Sequence, residues 1–217
     1  MISEWLAALS AHFRRRRMAR FVRTMGITPA TRVLDVGGTP DSWQLLPAPP
    51  RGTLLNAPRA RAEVGSAQSW VAGDGRALPF RDGAFDVVFS NSVIEHVGGT
   101  ESQARFARET MRVGRRIWVQ TPNRWFPLEL HLFLPLVHWL PRRWQRVLAP
   151  RLSVAHIALR LSRDRREFYM IHYLEEVHLL DAAGLRTLFP GATLLRERFC
   201  GWTKSLVVHT AVHPAEK

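Results

Sequence analysis

Three short stretches of this 217-residue chain place polar groups at the end of an apolar run. The first is Thr31-Arg-Val-Leu-Asp-Val-Gly-Gly38, where a strand-like segment passes through Asp35 into two glycines. Glycine suits a place where the backbone turns sharply and lies against a ligand, because it has no Cβ to clash or to forbid positive φ. The second is Val71-Ala-Gly-Asp74 and the third Phe85-Asp-Val-Val-Phe-Ser-Asn91. Three strand ends of this kind, in order, describe a nucleotide-like pocket along the carboxyl edge of a parallel sheet.

Elements that could hold those residues are legible from periodicity. Residues 3–25 read as a helix, with Trp5, Leu6, Leu9, Phe13, Phe21 and Val22 near helical spacing and Gly26 as a stop. Strands are expected at Val33–Val36, Thr53–Asn56, Trp70–Ala72, Asp86–Ser90 and Arg116–Thr121, the last closed by Pro122. Helices are expected at Glu101–Val113, before Gly114, and at Tyr173–Ala183, before Gly184. Thr193–Phe199 and Ser205–Thr210 read as a closing antiparallel hairpin turning at Gly201-Trp202. The alternation predicts an α/β three-layer sandwich of the Rossmann-like kind in one domain spanning 1–217. Residues 1–27 form a helical cap. Residues 122–172, rich in proline and aromatics, interrupt the alternation at the pocket edge and are expected to form a lid or substrate insertion.

Composition narrows the classes. The length allows a sizeable core, and no apolar segment is long and clean enough to span a bilayer or serve as a secretory signal. A single cysteine, Cys200, excludes an intrachain disulfide framework and fits a reducing cytoplasm. It leaves no cysteine-based zinc site, and the nine histidines show no His-Glu-x-x-His pair, so no metal is expected. The net charge of +13 sits in two places: residues 1–32 carry net +6 and residues 124–166 net +7. Two cationic segments on a neutral body indicate an anionic partner or surface, or else solvated helix faces.

The three strand-end motifs resemble the class I S-adenosylmethionine-dependent methyltransferases, especially their small-molecule branch. The resemblance covers roughly residues 28–121. It implies a mostly parallel seven-stranded sheet with a terminal antiparallel hairpin and S-adenosyl-L-methionine as cofactor. By position, Asp35, Gly37 and Gly38 would border the methionine part, Asp74 would accept from the adenine amino group, and Gly75 would present backbone. Ser90 and Asn91 would lie beside the methionine amino end. Glu95-His96 would face the transfer site, with His96 as the catalytic base or as a histidine that holds the loop. Two departures stand out. Thr39-Pro40-Asp41 follows Gly38 where the family commonly has a third glycine, and Asn56 replaces the acidic residue that usually holds the ribose. An amide can donate to and accept from hydroxyls, without charge assistance; Glu63 is an alternative ribose partner.

The sulfonium already activates the methyl group, so in-line alignment supplies much of the acceleration. Asn91-Ser-Val-Ile94 lacks the Asn-Pro-Pro-Tyr pattern frequent in enzymes that methylate planar nitrogens, which favours an oxygen or carbon acceptor, oxygen first. Trp125 and His131 in the insertion are substrate-contact candidates together with Glu95; His131, His138 and His172 stand in reserve as the base. The apolar run from Trp125 to Leu140 followed by Arg142, Arg143, Arg146 and Arg151, like Trp5–Phe13 followed by Arg14–Arg17, fits a lipid-like acceptor or peripheral contact with anionic membrane. The leading expectation is thus a cytoplasmic methyltransferase acting on a small-molecule or lipid-like acceptor. Two others stand beside it: an RNA or protein methyltransferase docking through the arginines, though no nucleic-acid motif is evident, and a non-catalytic cofactor-binding scaffold. The oligomeric state is not legible.

Overall fold

The computed structural model describes residues 2–58, 68–153, 170 and 173–210, and side chains from residue 11 onward. Helix α1 (Ile2–Met25) precedes strand β1 (Arg32–Val36), a short helix α2 (Pro40–Trp43), β2 (Arg51–Asn56), β3 (Gln68–Ala72) and β4 (Val87–Asn91). A 3₁₀ turn at Ile94–His96 leads to α3 (Thr100–Val113) and β5 (Ile117–Pro122). The insertion contributes a two-stranded ladder, β6 (Leu128–Glu129) with β7 (Leu134–Pro135), and helix α4 (Arg142–Leu152). Helix α5 (Ala182–Leu188) and the hairpin β8 (Thr193–Phe199) and β9 (Trp202–His209) close the chain.

The main sheet has seven strands in the order β3-β2-β1-β4-β5-β9-β8. β1 through β5 are parallel, while β9 runs antiparallel against β5 and β8. Strand residues alternate between two cores, as period-two geometry demands. Val33, Leu54, Val87, Phe89, Trp118 and Val207 face α1 and α2, where Phe21 packs edge-on against Phe89 (centroids 4.7 Å) and Trp118 (5.5 Å). Leu34, Leu55, Val88, Ile117, Val119, Leu206 and Val208 face α3 and α5 with Phe106, Leu185 and Phe189. Helix, sheet and helix form the three-layer α/β sandwich. The insertion has a smaller core of its own around Leu132, Val137, Ala149, Met170 and Tyr173.

The expected helix at Tyr173–Ala183 is corrected. One helical turn covers 173–176, the chain then runs extended, and a new helix starts at Ala182. Asp181 caps that start by accepting from the Gly184 amide (2.9 Å), so Gly184 sits in the first turn of α5 and stops nothing.

Candidate functional site

Parallel pairing puts the ends of β1, β2, β3 and β4 on one edge of the sheet. A cavity of about 610 Å³ opens there. β1 contributes Val36 and Gly37, β2 contributes Leu55 and Asn56, the β3 turn contributes Gly73–Arg76, and the segment after β4 contributes Val93 and His96–Gly98. Gly37 holds φ +77°, and a Cβ on it would run into Val93. Glycine is therefore required, for backbone conformation and for room. Gly75 lies flat on the core, where a Cβ would meet Phe106 at 2.8 Å and Val36 at 2.9 Å.

Of the residues expected to hold the cofactor, Gly37, Asn56, Asp74 and Gly75 line this cavity and Asp35, Gly38, Ser90 and Asn91 do not. Asp35 lies behind the glycine turn, fully buried, accepting from Trp43 Nε1 at 2.8 Å. Burial pushes its carboxyl up to about 7, against the lowering by the Trp43 bond. A Cβ on Gly38 would occupy the space of that carboxylate, so Gly38 and Asp35 build the turn from below. Asn56 spans the gap between β2 and the turn, donating to the Gly38 carbonyl (3.3 Å) and accepting from the Ala57 amide (2.9 Å). Ser90 is buried and donates to the Val36 carbonyl (3.1 Å), tying β4 to β1. Asn91 points the other way: its Oδ1 accepts from Arg17 (2.6 Å) in a separate recess with Gln120, Lys204 and Ser205. Two of the three strand tips, at Gly37 and Asp74, thus converge on the cavity, and the side chain at the third serves α1.

Asp74 is gripped by Arg76, whose guanidinium reaches Oδ2 at 2.7 Å and both oxygens at 3.0 Å and whose amide donates to Oδ1 at 2.8 Å. These bonds hold the Asp74 carboxyl below the usual range. Arg76 also donates to the Val97 carbonyl (3.2 Å), joining the β3 turn to the loop after β4. Sequence reasoning missed Arg76 although it stands two residues from Asp74.

His96 also lines the cavity, and its surroundings are chemically richer. Its Nε2 meets Nε2 of His131 at 3.2 Å, and His131 Nδ1 bonds Glu129 Oε1 at 2.7 Å. Glu129 Oε2 accepts from the Leu132 amide (2.7 Å). Burial opposes charge on His131, but the hydrogen bond and charge of Glu129, with Glu95 further off, outweigh it and raise the imidazole's basicity. Glu95 is buried beside them and accepts from Thr121 Oγ1 at 3.0 Å. Desolvation pushes its carboxyl up to about 7. The backbone here is fixed: the Glu95 carbonyl accepts from the His178 amide (2.8 Å), and Gln103 donates to the carbonyls of Ile94 (3.2 Å) and His178 (2.8 Å). The arrangement can bind a neutral or anionic oxygen and exchange a proton with it.

Trp125, a substrate candidate, lies apart from this cavity on the insertion's surface, donating to Asp181 Oδ2 at 3.2 Å. His138 donates to the Arg124 carbonyl (2.8 Å) and supports the insertion. Glu63 and His172 fall outside the described residues. A larger cavity, about 740 Å³, lies between the insertion, α3 and α5; it includes Arg124, Trp139, Tyr173 and Asp181 and none of the glycine-turn residues.

Residues 53–116 match a family model described as a methyltransferase domain. The ubiquinone/menaquinone biosynthesis C-methyltransferase UbiE of Ruegeria sp. (strain TM1040) is 34% identical over 113 aligned positions, with 44% of this chain and 45% of that protein covered. The match therefore spans less than half the length of this curated relative. Among solved structures, the magnesium protoporphyrin IX methyltransferase ChlM of Synechocystis PCC 6803, with bound SAH, superposes with a TM-score of 0.53 at 14% identity, covering 91% of this chain and 81% of that one. A methyltransferase from an antibiotic biosynthesis pathway, by its description, of Anabaena variabilis gives a TM-score of 0.51 at 15% identity, covering 84% and 64%. Likeness at such identity speaks for the fold, while the matched segment carries the Asp74 turn and Glu95-His96. Strand order, glycine turn and matched segment agree: residues 53–116 are similar to a methyltransferase domain, on a fold shared with solved methyltransferases.

Proposed function

We propose that this protein transfers the methyl group of S-adenosylmethionine to a small or lipid-like acceptor, at an oxygen. The observation that carries this reading is that one cavity is lined by Gly37, Asp74 and His96 together. Asn56, Asp74 and Gly75 would hold the nucleoside of S-adenosylmethionine, and His96 would stand by the methyl it supplies. As the acceptor oxygen bonds to the methyl carbon, the S–C bond breaks and its electron pair stays on sulfur. The hydroxyl proton leaves at the same face, beside the Glu95–His96–His131 group. Alignment supplies the rest of the acceleration.

A carbon acceptor is the second reading, favoured by the C-methyltransferase match over the same segment. The lipid-like side of the proposal rests on the insertion's surface. Trp125, Leu136, Trp139, Leu140, Trp144, Val147 and Leu152 are all exposed there, beside Arg142, Arg143, Arg146 and Arg151. Exposed aromatics beside arginines suit an anionic lipid surface. Among the described residues no helix is long and apolar enough to cross a membrane.

Calorimetry with S-adenosylmethionine tests the reading. Stoichiometric binding that Gly37→Ala weakens supports it; no binding at millimolar cofactor overturns it. Binding without turnover on any acceptor favours the scaffold, and tight, steeply salt-dependent RNA binding favours the RNA enzyme. His96→Ala is expected to lower turnover with cofactor affinity nearly unchanged; an unaltered rate removes His96 from the mechanism.

A further inference from the structure

We propose that Glu95, His96 and His131 bind a divalent first-row metal ion of the zinc type, with Glu129 orienting His131. Each of the three offers one ligand atom, and these atoms lie within 4.8 Å of one another. The two Nε2 atoms are 3.2 Å apart. Two imidazoles on one tetrahedral ion, at bonds of about 2.0–2.1 Å, would hold their nitrogens about 3.3 Å apart. The pair already stands at the bite of a shared ion, so binding exchanges the proton between the rings for a metal with little movement.

The surroundings fit the same occupant. A ligating histidine characteristically gives its other ring N–H to a carboxylate, which fixes tautomer and orientation. Glu129 is that carboxylate, 2.7 Å from His131 Nδ1, and is itself anchored by the Leu132 amide. Glu95 has one oxygen on Thr121, and its Oε1 has no hydrogen-bond partner among the described residues. Glu95 and Glu129 are 0% and 2% exposed, and no arginine or lysine forms an ion pair with either among the described residues. His131 can give Glu129 one positive charge, and a divalent ion held by Glu95, His96 and His131 would supply charge to both buried carboxylates. Imidazole with carboxylate selects zinc, cobalt, iron or nickel over magnesium or calcium, whose preference is for oxygen alone.

Three protein ligands leave a coordination position open, and His96 turns the group toward the cofactor cavity. For its use this inference rests on the proposed transferase reading: the acceptor is then a hydroxyl compound whose oxygen takes the open position. The ion lowers that oxygen's pKa, the hydroxyl proton passes to water, and the oxygen takes the methyl carbon as the S–C pair returns to sulfur.

The test uses the full, tag-free chain stripped of metal and free of cofactor. Zn²⁺ titrated by calorimetry should bind at one equivalent, and Co²⁺ should give the visible absorption of a low-coordinate imidazole complex. His131→Ala and Glu95→Gln should abolish that step, and Glu129→Gln should weaken it roughly 10–100-fold. The surface change His12→Ala should leave it intact. His131→Gln, which keeps bulk and polarity, serves if His131→Ala does not fold. Absence of one-equivalent uptake by the native chain, or uptake insensitive to His131 and Glu95, overturns the site. S-adenosylmethionine binding without metal uptake sinks this inference alone. Metal uptake without S-adenosylmethionine binding sinks the transferase reading and leaves the ion site standing.

Discussion

Arg17→Ala should be among the most damaging single changes in the chain. The Arg17 guanidinium makes a two-armed pair with Glu197 on β8, Nε to Oε1 at 2.9 Å and Nη2 to Oε2 at 2.6 Å. Its Nη1 donates to Asn91 at the end of β4 (2.6 Å) and Gln120 on β5 (3.1 Å). One residue of α1 thus pins three strands of the sheet. The paired side chains are 8% and 11% exposed, so solvent screening does not discount the interaction as it would a surface pair. Among the described residues, truncation leaves the buried carboxylate with Ser205 as its donor, strips Asn91 Oδ1 of its donor and leaves Gln120 Oε1 with Ser92 alone. Breaking one side of a buried pair costs about 3–5 kcal/mol, and for a domain of this length each kcal/mol lowers Tm by roughly 2–4 °C. The expected loss is therefore about 6–20 °C, read by thermal and urea unfolding. Arg17→Met with Glu197→Leu should recover much of it, because apolar replacement of both partners removes the uncompensated charge. The pH dependence has a definite sign. Burial pushes the Glu197 carboxyl up, but the bonds and charge of Arg17 outweigh it and leave it below its ordinary value. Its stabilisation is therefore full above the unfolded pKa and fades as pH falls through the lower folded one; Arg17→Ala should lose that acid limb. A loss under about 1 kcal/mol, the magnitude of an exposed pair, would refute the reasoning.

Three further outcomes are expected. Gly37→Ala places a side chain at φ +77° and against Val93; a left-handed penalty of about 1–2 kcal/mol plus crowding of about 1–3 kcal/mol should weaken S-adenosylmethionine binding at least tenfold by calorimetry. Asp35 is protonated more readily in the folded chain, its carboxyl rising from 3.8 to about 7. Folding stability should accordingly fall as pH rises across that window, and Asp35→Asn should flatten the slope in urea midpoints measured across it. Trp144→Ser removes an exposed indole of the insertion; co-sedimentation with anionic vesicles should drop by roughly 1–2 kcal/mol of partition energy, and an unchanged fraction bound would remove Trp144 from any lipid contact.

The sheet was legible because its strands are buried on both faces and read as continuous apolar runs, as Val87–Ser90 and Ile117–Thr121 show. The glycine turn was legible for a similar reason: two glycines after an apolar run have few other uses. Helix ends were harder. Gly184 looks like a stop in sequence, yet Asp181 in front of it is a cap, and a cap three residues upstream makes the same glycine part of a first turn. At the site, register decided what residue type could not. Ser90 and Asn91 are adjacent, so in a strand their side chains leave opposite faces. Neither reaches the cavity: one hydroxyl bonds within the sheet, and the amide turns to Arg17. Arg76 and Glu129 were both available as near neighbours of singled-out residues, at i+2 from Asp74 and i−2 from His131, but only the folded backbone shows that they aim at them. A search for metal pairs along one helix could not find Glu95, His96 and His131, because the 3₁₀ turn after β4 and the insertion bring them together across 35 residues.

The two cationic segments, alike in composition, part company in the fold. In α1, Arg17 turns inward and is spent on Glu197, Asn91 and Gln120, while Arg14, Arg15 and Arg16 remain exposed. In the insertion Arg142 reaches the Val177 carbonyl (2.8 Å) and Arg151 the Val147 carbonyl (2.7 Å), neither of which neutralises a charge. Arg143 and Arg146 are exposed beside Trp144 and Val147. The described part of the insertion therefore presents arginines without an acidic partner among the described residues beside exposed apolar rings, whereas the described part of α1 uses its key arginine as structure. Neutralising Arg15 and Arg16 to glutamine should then leave vesicle binding largely in place, while the same change at Arg143 and Arg146 should reduce it by about 1 kcal/mol per residue, a loss that shrinks with added salt. Equal losses from the two pairs would mean that α1 meets the same surface, and the division of labour argued for these arginines would fail.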